Sequence, residues 1–319
     1  MKILVAGAHG FVGRALCPAL VAAGHAVRAG ARRPASIPSG HGTPVRFDLD
    51  DDGSLVPALA DVDAAVWLVH GLHRASFSSW ESTVAVRFAA AARAAGLRRL
   101  IYLGGVAPTT LTAAGRRPAA PSEHLRARQQ TGEVLRHAAS SVLELRAGII
   151  VGAGGASFRL LRDLAVRAPV LVRTPWLAAE QQPVALQDVV AALVAVIDRP
   201  DSGVLDVPGP TVITTEALLR RTAALLGRRV RFVDVPVPPP LVIEAAARIT
   251  RADDNVVRGI LGGVAAVDVV AADEGVFAAV PGLPRTPLDV ALRAALIDEE
   301  RTLTPGTAAL EETLGLLWR

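Results

Sequence analysis

Short apolar runs and longer stretches with helical spacing take turns along the first half of the chain. Ile3–Ala6, Ala26–Ala29, Ala64–Val69, Leu100–Leu103 and Val142–Leu145 are brief apolar runs of the kind that form buried strands. Between them, Gly13–Ala23, Ser82–Ala95 and Ser122–Ala138 carry apolar residues at helical intervals, and Gly24 and Gly96 stand where helix C-caps belong. Ser54–Leu59 reads as a short helix entered through the capping run Asp50-Asp-Asp-Gly53. Strand and helix alternating in this way predict an α/β fold: a doubly wound parallel sheet with right-handed crossovers.

The second half is less regular. Phe158–Val166, Val189–Ile197 with Asp188 as N-cap, and Glu216–Leu226 ended by Gly227 read as helices. Val230–Val235 reads as a strand and Pro236-Val-Pro-Pro-Pro240 as a breaker. Leu241–Ile249, Val256–Leu261 and Arg285–Leu296 are further helical stretches, and Thr302–Arg319 shows no assignable pattern.

The strongest chemical signal lies at the start. Lys2-Ile-Leu-Val-Ala-Gly7 is a strand, Gly7-Ala-His-Gly10-Phe-Val-Gly13 a glycine turn, and the following residues a helix. A glycine turn between a buried strand and a helix N-terminus presents backbone N–H groups to a pyrophosphate. Gly7, His9, Gly10, Phe11, Val12 and Gly13 are therefore expected cofactor-binding residues. The second strand, His25-Ala-Val-Arg-Ala-Gly-Ala-Arg32-Arg33, lacks the terminal acid that would bind NAD ribose hydroxyls. Arg32 and Arg33 stand where a 2′-phosphate would lie, so NADP(H) is the expected cofactor. Asp48 and Leu49 end the third strand, near the expected adenine. Leu68, Val69 and His70 at the end of the fourth, Leu103 of the fifth, and Ala147 and Ile149 after the sixth complete the expected contacts. For His70 a hydrogen-bonded structural role and a functional one both remain open.

Composition narrows the classes. No apolar run approaches 18 residues, so no membrane span is expected. The N-terminus turns into a glycine loop too soon for a signal peptide. Cys17 is the only cysteine, which excludes an intrachain disulfide and a cysteine-rich metal site, and no metal is expected. A cytoplasmic protein follows. The formal charge is only +4, and the pairs Arg32-Arg33, Arg98-Arg99 and Arg116-Arg117 are scattered without interleaved aromatics, so no nucleic-acid partner is expected. No feature sets an oligomeric state.

With the glycine turn, the segments Ala65-Val-Trp-Leu-Val-His-Gly71, Pro121-Ser-Glu-His-Leu-Arg-Ala-Arg128 and Glu144-Leu-Arg-Ala-Gly-Ile-Ile-Val-Gly152 carry a family resemblance. Gln182-Pro-Val-Ala-Leu-Gln-Asp188 and Gly209-Pro-Thr-Val-Ile-Thr-Thr215 extend it over about residues 1–300. The chain resembles the atypical, extended-type short-chain dehydrogenase/reductases, in the NAD(P)H-binding branch also linked to NmrA-like proteins. The resemblance implies a Rossmann NADP-binding domain over 1–150 and a smaller substrate domain over 151–319. About 183–210 would return to the first, with a cleft between the two.

The family's usual proton donor is a Tyr with a Lys four residues on. This chain has one tyrosine, Tyr102, and one lysine, Lys2, so that pair cannot form. The helix that resembles the family's catalytic one carries His124 and Arg128 instead, and Tyr102-Leu-Gly-Gly105 stands where the usual serine would be. Residues four apart share a helical face, so His124 and Arg128 can point together into a cleft. They are the expected catalytic pair: a neutral imidazole that donates to a carbonyl, and a guanidinium that holds ribose hydroxyls. A pair that merely packs the helix is the competing reading. Phe158, Trp176, Trp80 and Pro236–Ile249 are either core or the lining of a hydrophobic substrate cavity.

Two functions are therefore expected in competition. One is an NADPH-dependent ketone or enone reductase for an apolar small molecule, aromatic and polyketide-like compounds included. The other is a non-enzymatic NADP(H)-binding redox sensor or regulator. Isomerase or dehydratase chemistry on a bound cofactor is a third, lesser reading.

Overall fold

The computed structural model describes residues 1–106, 123–261, 268–302, 306–307 and 311. Its centre is a sheet of β1 (Lys2–Ala6), β2 (Ala26–Ala31), β3 (Thr43–Arg46), β4 (Ala64–Trp67), β5 (Arg99–Gly105), β6 (Ser141–Ala147) and a seventh strand, Gly203–Asp206. Across the sheet the order is Gly203–Asp206, β6, β5, β4, β1, β2, β3, and every pairing is parallel. β1 thus lies between β2 and β4, and the order reverses there. Such a switch point opens a crevice beyond the carboxyl ends of the strands, where ligands of α/β sheets bind.

Both faces of the sheet are covered, which is why its strands read as continuous apolar runs. Alternate residues of β1 serve opposite cores. Ile3 and Val5 join α1 (Phe11–Ala22) and the helix Leu186–Val196 on one face, through Leu16, Leu20, Val189 and Leu193. Leu4 and Ala6 join α2 (Leu55–Leu59), α3 (Phe77–Ala94) and α4 (Glu123–Leu135) on the other, through Leu59, Phe88 and Leu135. A third apolar cluster stands apart from the sheet. It gathers Phe158, Leu161 and Leu164 of α5 (Ala156–Arg167) with Leu218, Val257 and Leu292.

The five predicted strand runs coincide with β1, β2, β4, β5 and β6. β4 ends at Trp67, so Leu68, Val69 and His70 lie just past the strand. α3 begins at Phe77, earlier than Ser82, because Phe77 itself is buried in the helix face. Ser122 of the predicted fourth helix lies outside the described residues. Gly203–Asp206 carried no strand pattern: Gly203 and Val204 are exposed at the sheet edge, and only pairing with β6 makes it a strand.

Asp188 is not an N-cap. Its helix starts at Leu186, after Ala185, and Asp188 sits in the first turn with its carboxylate turned away. Pro239 and Pro240 open a helix, Pro239–Ile249, instead of breaking one, since proline's missing N–H costs nothing in a first turn.

The buried Asp188 carboxylate accepts from the backbone N–H of Thr286 and from its hydroxyl, both at 2.7 Å. It thereby ties the chain before the helix Leu288–Arg301 to the helix that packs on α1. Truncation would strand two buried donors, each worth about 1–3 kcal/mol when left unpaired. Asp188→Ala is expected to lower unfolding stability in urea by about 2–4 kcal/mol, and Asp188→Asn by less. A loss for Asp188→Ala within error of zero would show that the tie is not structural.

Candidate cofactor cleft and active site

The glycine turn is built by backbone contact that side chains would forbid. Gly7 has φ +93°, a left-handed conformation that favours glycine. A Cβ on Gly13 would lie 2.3 Å from the Gly7 carbonyl and 2.7 Å from Ala8 Cα, so α1 can approach the turn this closely only with glycine there. The Gly10 N–H donates to the Gly7 carbonyl at 2.9 Å, closing the turn. The N–H groups of Phe11, Val12 and Gly13 form the first turn of α1 and have no intrahelical acceptor. Around a Cβ on Gly10 the Gly7 carbonyl, at 3.1 Å, is the one described neighbour within 4 Å, so among the described residues the space above those donors is open. This cradle fits a pyrophosphate. The Phe11 ring does not point into it: a Cβ on Gly155 would meet that ring at 2.9 Å, so the ring packs under the Gly152–Gly155 turn.

Arg32 and Arg33 follow β2 and are exposed. Among the described residues no carboxylate pairs with either. Arg32 acts electrostatically on two groups, depressing the pKa of His9, behind burial and Arg14, and contributing to that of Asp50. It therefore lies between the glycine turn and the end of β3. Arg33 lends its carbonyl to the Ser36 N–H and hydroxyl. Asp48 accepts from the Asp50 N–H at 3.2 Å and shapes the loop after β3, with Leu49 buried behind it. The more exposed acid is Asp50, which accepts from Trp80 Nε1 at 2.8 Å and from Arg74 at 2.7 Å; the Trp80 hydrogen bond leads in lowering its pKa.

Beyond β4 and β5 the structure gathers His70, His124 and Arg128. His70 is exposed just past the end of β4, with Arg128 and His73 close enough to act on it electrostatically. Its pKa is lowered to about 3, by desolvation from the surrounding protein first, then by Arg128 and His73. That of His124 is also lowered to about 3, by burial, then by Arg128 and His70. Both imidazoles are therefore neutral at physiological pH. His124 Nδ1 is buried and has no hydrogen-bond partner among the described residues, and the Phe77 ring stands edge-on to the imidazole at 6.3 Å.

Arg128 is partly committed. It donates to the Leu103 carbonyl at the end of β5, and its guanidinium lies 5.4 Å from the centre of the Tyr102 ring. Tyr102 is buried within β5, donates to the Arg128 carbonyl at 2.9 Å, and has a pKa pushed up to about 12 by burial. It is a structural tie, not an acid.

Sequence reasoning missed Glu81. It is buried on α3 and accepts from the Gly71 N–H at 2.6 Å, pinning the loop that carries His70. Burial raises its pKa, opposed by Arg128 and by that hydrogen bond. The signal was present: Phe77, Glu81, Val84 and Phe88 fall on one helical stripe, and a carboxylate within an apolar stripe needs a partner.

Other expected contacts are placed as follows. Leu68 lies against Gly7, where its Cβ is 3.5 Å from a Cβ built on the glycine, and Val69 packs partly buried on the α3 face. Ala147 ends β6 with its carbonyl accepting from Val106. Ile149 packs toward the third apolar cluster and its carbonyl accepts from Val184, so it is drawn away from the sheet edge. Trp176 and part of Pro236–Ile249 line an apolar cavity of about 170 Å³. Phe158 is fully buried core, and Trp80 belongs to the Asp50 cluster. Among the described residues no group of histidine, cysteine or acidic side chains is arranged to hold a metal, and no helix is long and apolar enough to cross a membrane.

The lowered histidine pKa values give a pH dependence of definite sign. Unfolded histidine titrates near 6.5, so between about pH 6.5 and 3 the unfolded chain binds more protons and stability falls as the solution is acidified. Glu81 works the other way: its raised pKa takes stability away as pH rises through the carboxylate range. A difference between variants isolates the histidine. The stability lost by the wild type between pH 7 and pH 5 is expected to exceed that lost by His124→Gln by about 2 kcal/mol. Parallel pH profiles for the two proteins would show that His124 is not held neutral.

Comparisons with known proteins agree with this geometry. Residues 7–160 match the model of a family described as NAD(P)H-binding. Among curated proteins none matches the chain in sequence. Solved structures share the fold along nearly the whole chain. MoeE5 in complex with UDP-glucose and NAD is 21% identical, with a TM-score of 0.70 over 95% of this chain and 100% of that one. The UDP-glucose 4-epimerase of Thermus thermophilus, in complex with NAD, is 16% identical, with a TM-score of 0.61 over 83% and 99%. A short-chain dehydrogenase/reductase superfamily protein from Agrobacterium tumefaciens with bound NAD is 21% identical, with a TM-score of 0.60 over 94% and 100%. The cradle and the Rossmann-type sheet are thus those of an NAD(P)H-binding domain over residues 7–160, in a fold shared with NAD-bound short-chain dehydrogenase/reductase and epimerase structures.

Proposed function

We propose that the chain is a cytoplasmic NADPH-dependent reductase of an apolar ketone or enone. The observation that carries this reading is His124: a neutral imidazole with a buried Nδ1 that no described residue partners, beside His70 and Arg128 at the carboxyl ends of β4 and β5. When bound, the reduced nicotinamide supplies a hydride to the substrate carbon. His124 donates an imidazole N–H hydrogen bond to the oxygen that becomes negative, which then takes its proton from water, and His70 holds a second neutral imidazole at the same edge. Glu81 keeps the His70 loop in place through Gly71. Arg128 offsets charge on the developing oxyanion or on the ribose, with the donors left after its bond to Leu103.

NADP(H) over NAD(H) is supported by Arg32, which no described carboxylate pairs, near the ribose end of the cradle with Arg33 beside it. The apolar substrate is supported by the cavity in the C-terminal half, residues 151–319, which we assign to substrate binding except for about 183–210. Several neighbours in fold are named with UDP-sugars or as sugar-nucleotide enzymes. The cavity here is lined almost wholly by aliphatic side chains, and none of its described lining residues is a charged partner for a nucleoside diphosphate. The binding-only reading, a redox sensor, draws on one observation: the guanidinium at the ribose-binding position of the resembled family is already bonded to Leu103.

Calorimetry is expected to give tighter binding of NADPH than of NADH, with the gap narrowed in the Arg32→Ala, Arg33→Ala double variant. Equal or stronger NADH binding by the wild type would sink the assignment. Gly10→Val places a branched side chain in the space above the first turn of α1 and is expected to weaken both cofactors; unchanged affinity in the folded variant would mean that the turn holds no phosphate.

Nicotinamide absorbance followed over a panel of apolar ketones and enones tests the chemistry. Turnover is expected, cut roughly 10²-fold by His124→Ala. Tight NADPH binding with no oxidation across the panel would move the conclusion to the sensor.

A further inference from the structure

The cavity in the C-terminal half is lined by Leu164, Val170, Trp176, Leu241, Ala246 and Leu261 among others, and among the described lining residues only Thr174 and Trp176 carry polar side-chain atoms. Branched aliphatic groups make up most of the wall. At about 170 Å³ it exceeds the size at which an engineered apolar cavity takes a benzene molecule. It has a mouth at the surface, because two of its lining residues, Leu241 at 60% and Val170 at 49%, are strongly exposed. Val235 and Pro236 extend that exposed apolar rim. A folded chain gains nothing by exposing large aliphatics around an apolar hole unless a ligand covers them.

The cavity shares a wall with the cleft. The helix Asp254–Leu261 places Leu261 in the cavity lining. The same helix leans on the cleft: a Cβ on Gly259 would meet Leu72 at 2.7 Å and Phe77 at 3.9 Å, and Asn255 Nδ2 donates to the His73 carbonyl at 3.1 Å. Phe77 in turn contacts His124. One helix therefore touches the loop after β4 and lines the hydrocarbon pocket.

We propose that this cavity is a binding site for a flexible aliphatic chain, the hydrocarbon part of the substrate, rather than for a nucleoside. The proposal rests on the reading of the C-terminal half as substrate-binding and narrows its substrate class. The volume, the aliphatic walls and the lack of a charged side chain among the described lining residues favour a hydrocarbon through burial of its apolar surface. Leu261 couples the filled pocket to the helix that leans on the cleft.

The test is a titration of the cofactor-free chain with 1-hexanol, 1-heptanol and 1-octanol, read through tryptophan fluorescence. A saturable change is expected, absent in Trp176→Phe, with affinity rising about fourfold for each added methylene, the equivalent of burying one CH₂. Ala246→Phe fills the pocket and is expected to weaken octanol binding at least tenfold. Leu241→Asp, at an exposed rim position that folding does not need, is expected to weaken it several-fold even if Ala246→Phe fails to fold.

A fluorescence change that does not saturate, that is insensitive to chain length, or that survives Leu241→Asp unchanged overturns the proposal. So does a saturable response to uridine diphosphate or naphthalenemethanol that exceeds the response to octanol. The outcome is independent of turnover. Alcohol binding without NADPH oxidation of any carbonyl keeps the pocket and removes the reductase, whereas carbonyl turnover without alcohol binding does the reverse.

Discussion

Tyr102 and Arg128 exchange hydrogen bonds between β5 and α4, and the geometry of the cleft depends on that exchange. The phenol of Tyr102 donates to the backbone of Arg128, while the Arg128 side chain donates back to the carbonyl of Leu103. A strand end and a helix that would otherwise meet only through apolar packing are locked in register. Because α4 also carries His124, this lock decides where the imidazole sits relative to His70 and to the carboxyl edge of the sheet. The one tyrosine of the chain thus positions the helix of the candidate site, from a strand, which is why the usual phenol chemistry has no place here.

The site is governed by the absence of spare charge. His70 and His124 both have lowered pKa values, His124 through its partial burial and both through the surrounding protein and the guanidinium near them. Arg128 supplies the positive potential, and Glu81 is buried close enough to moderate it. A neutral imidazole with a buried nitrogen that no described residue partners is a polar group left open for hydrogen bonding.

The C-terminal half combines an apolar pocket with a buried ionic network. Arg162 bonds Asp163 and Glu311, Arg251 bonds Asp163, and Arg159 bonds Glu299, whose other oxygen accepts from the Gly154 N–H. Buried ions are retained only when paired throughout, and here the pairs join α5, the helix Leu288–Arg301 and the chain leaving the sheet.

Much of this was legible in the sequence. The strand, the glycine turn and the helix after it are local: three glycines at fixed spacing admit one backbone path, and alternating apolar runs admit one class of sheet. The loss of the Tyr–Lys pair could be read from composition alone, as could the lack of an acid at the end of β2. What needed three dimensions was every relation between distant segments. Nothing in Gly203–Asp206 announces a strand until β6 pairs with it. Asp188 looks like a cap until Thr286 arrives from 98 positions away. Glu81 lies 10 residues from Gly71 but bonds it only because β4 and α3 pack together. The aliphatic pocket is assembled from α5, a strand, and helices up to Leu261 that no linear pattern links. Local backbone sterics and periodicity are written in neighbouring residues, so the sequence alone determined the cofactor fold. Side-chain partnership, burial and cavity shape depend on which surfaces meet, so tertiary structure alone decided the neutral histidine pair, its Glu81 support and the pocket behind it.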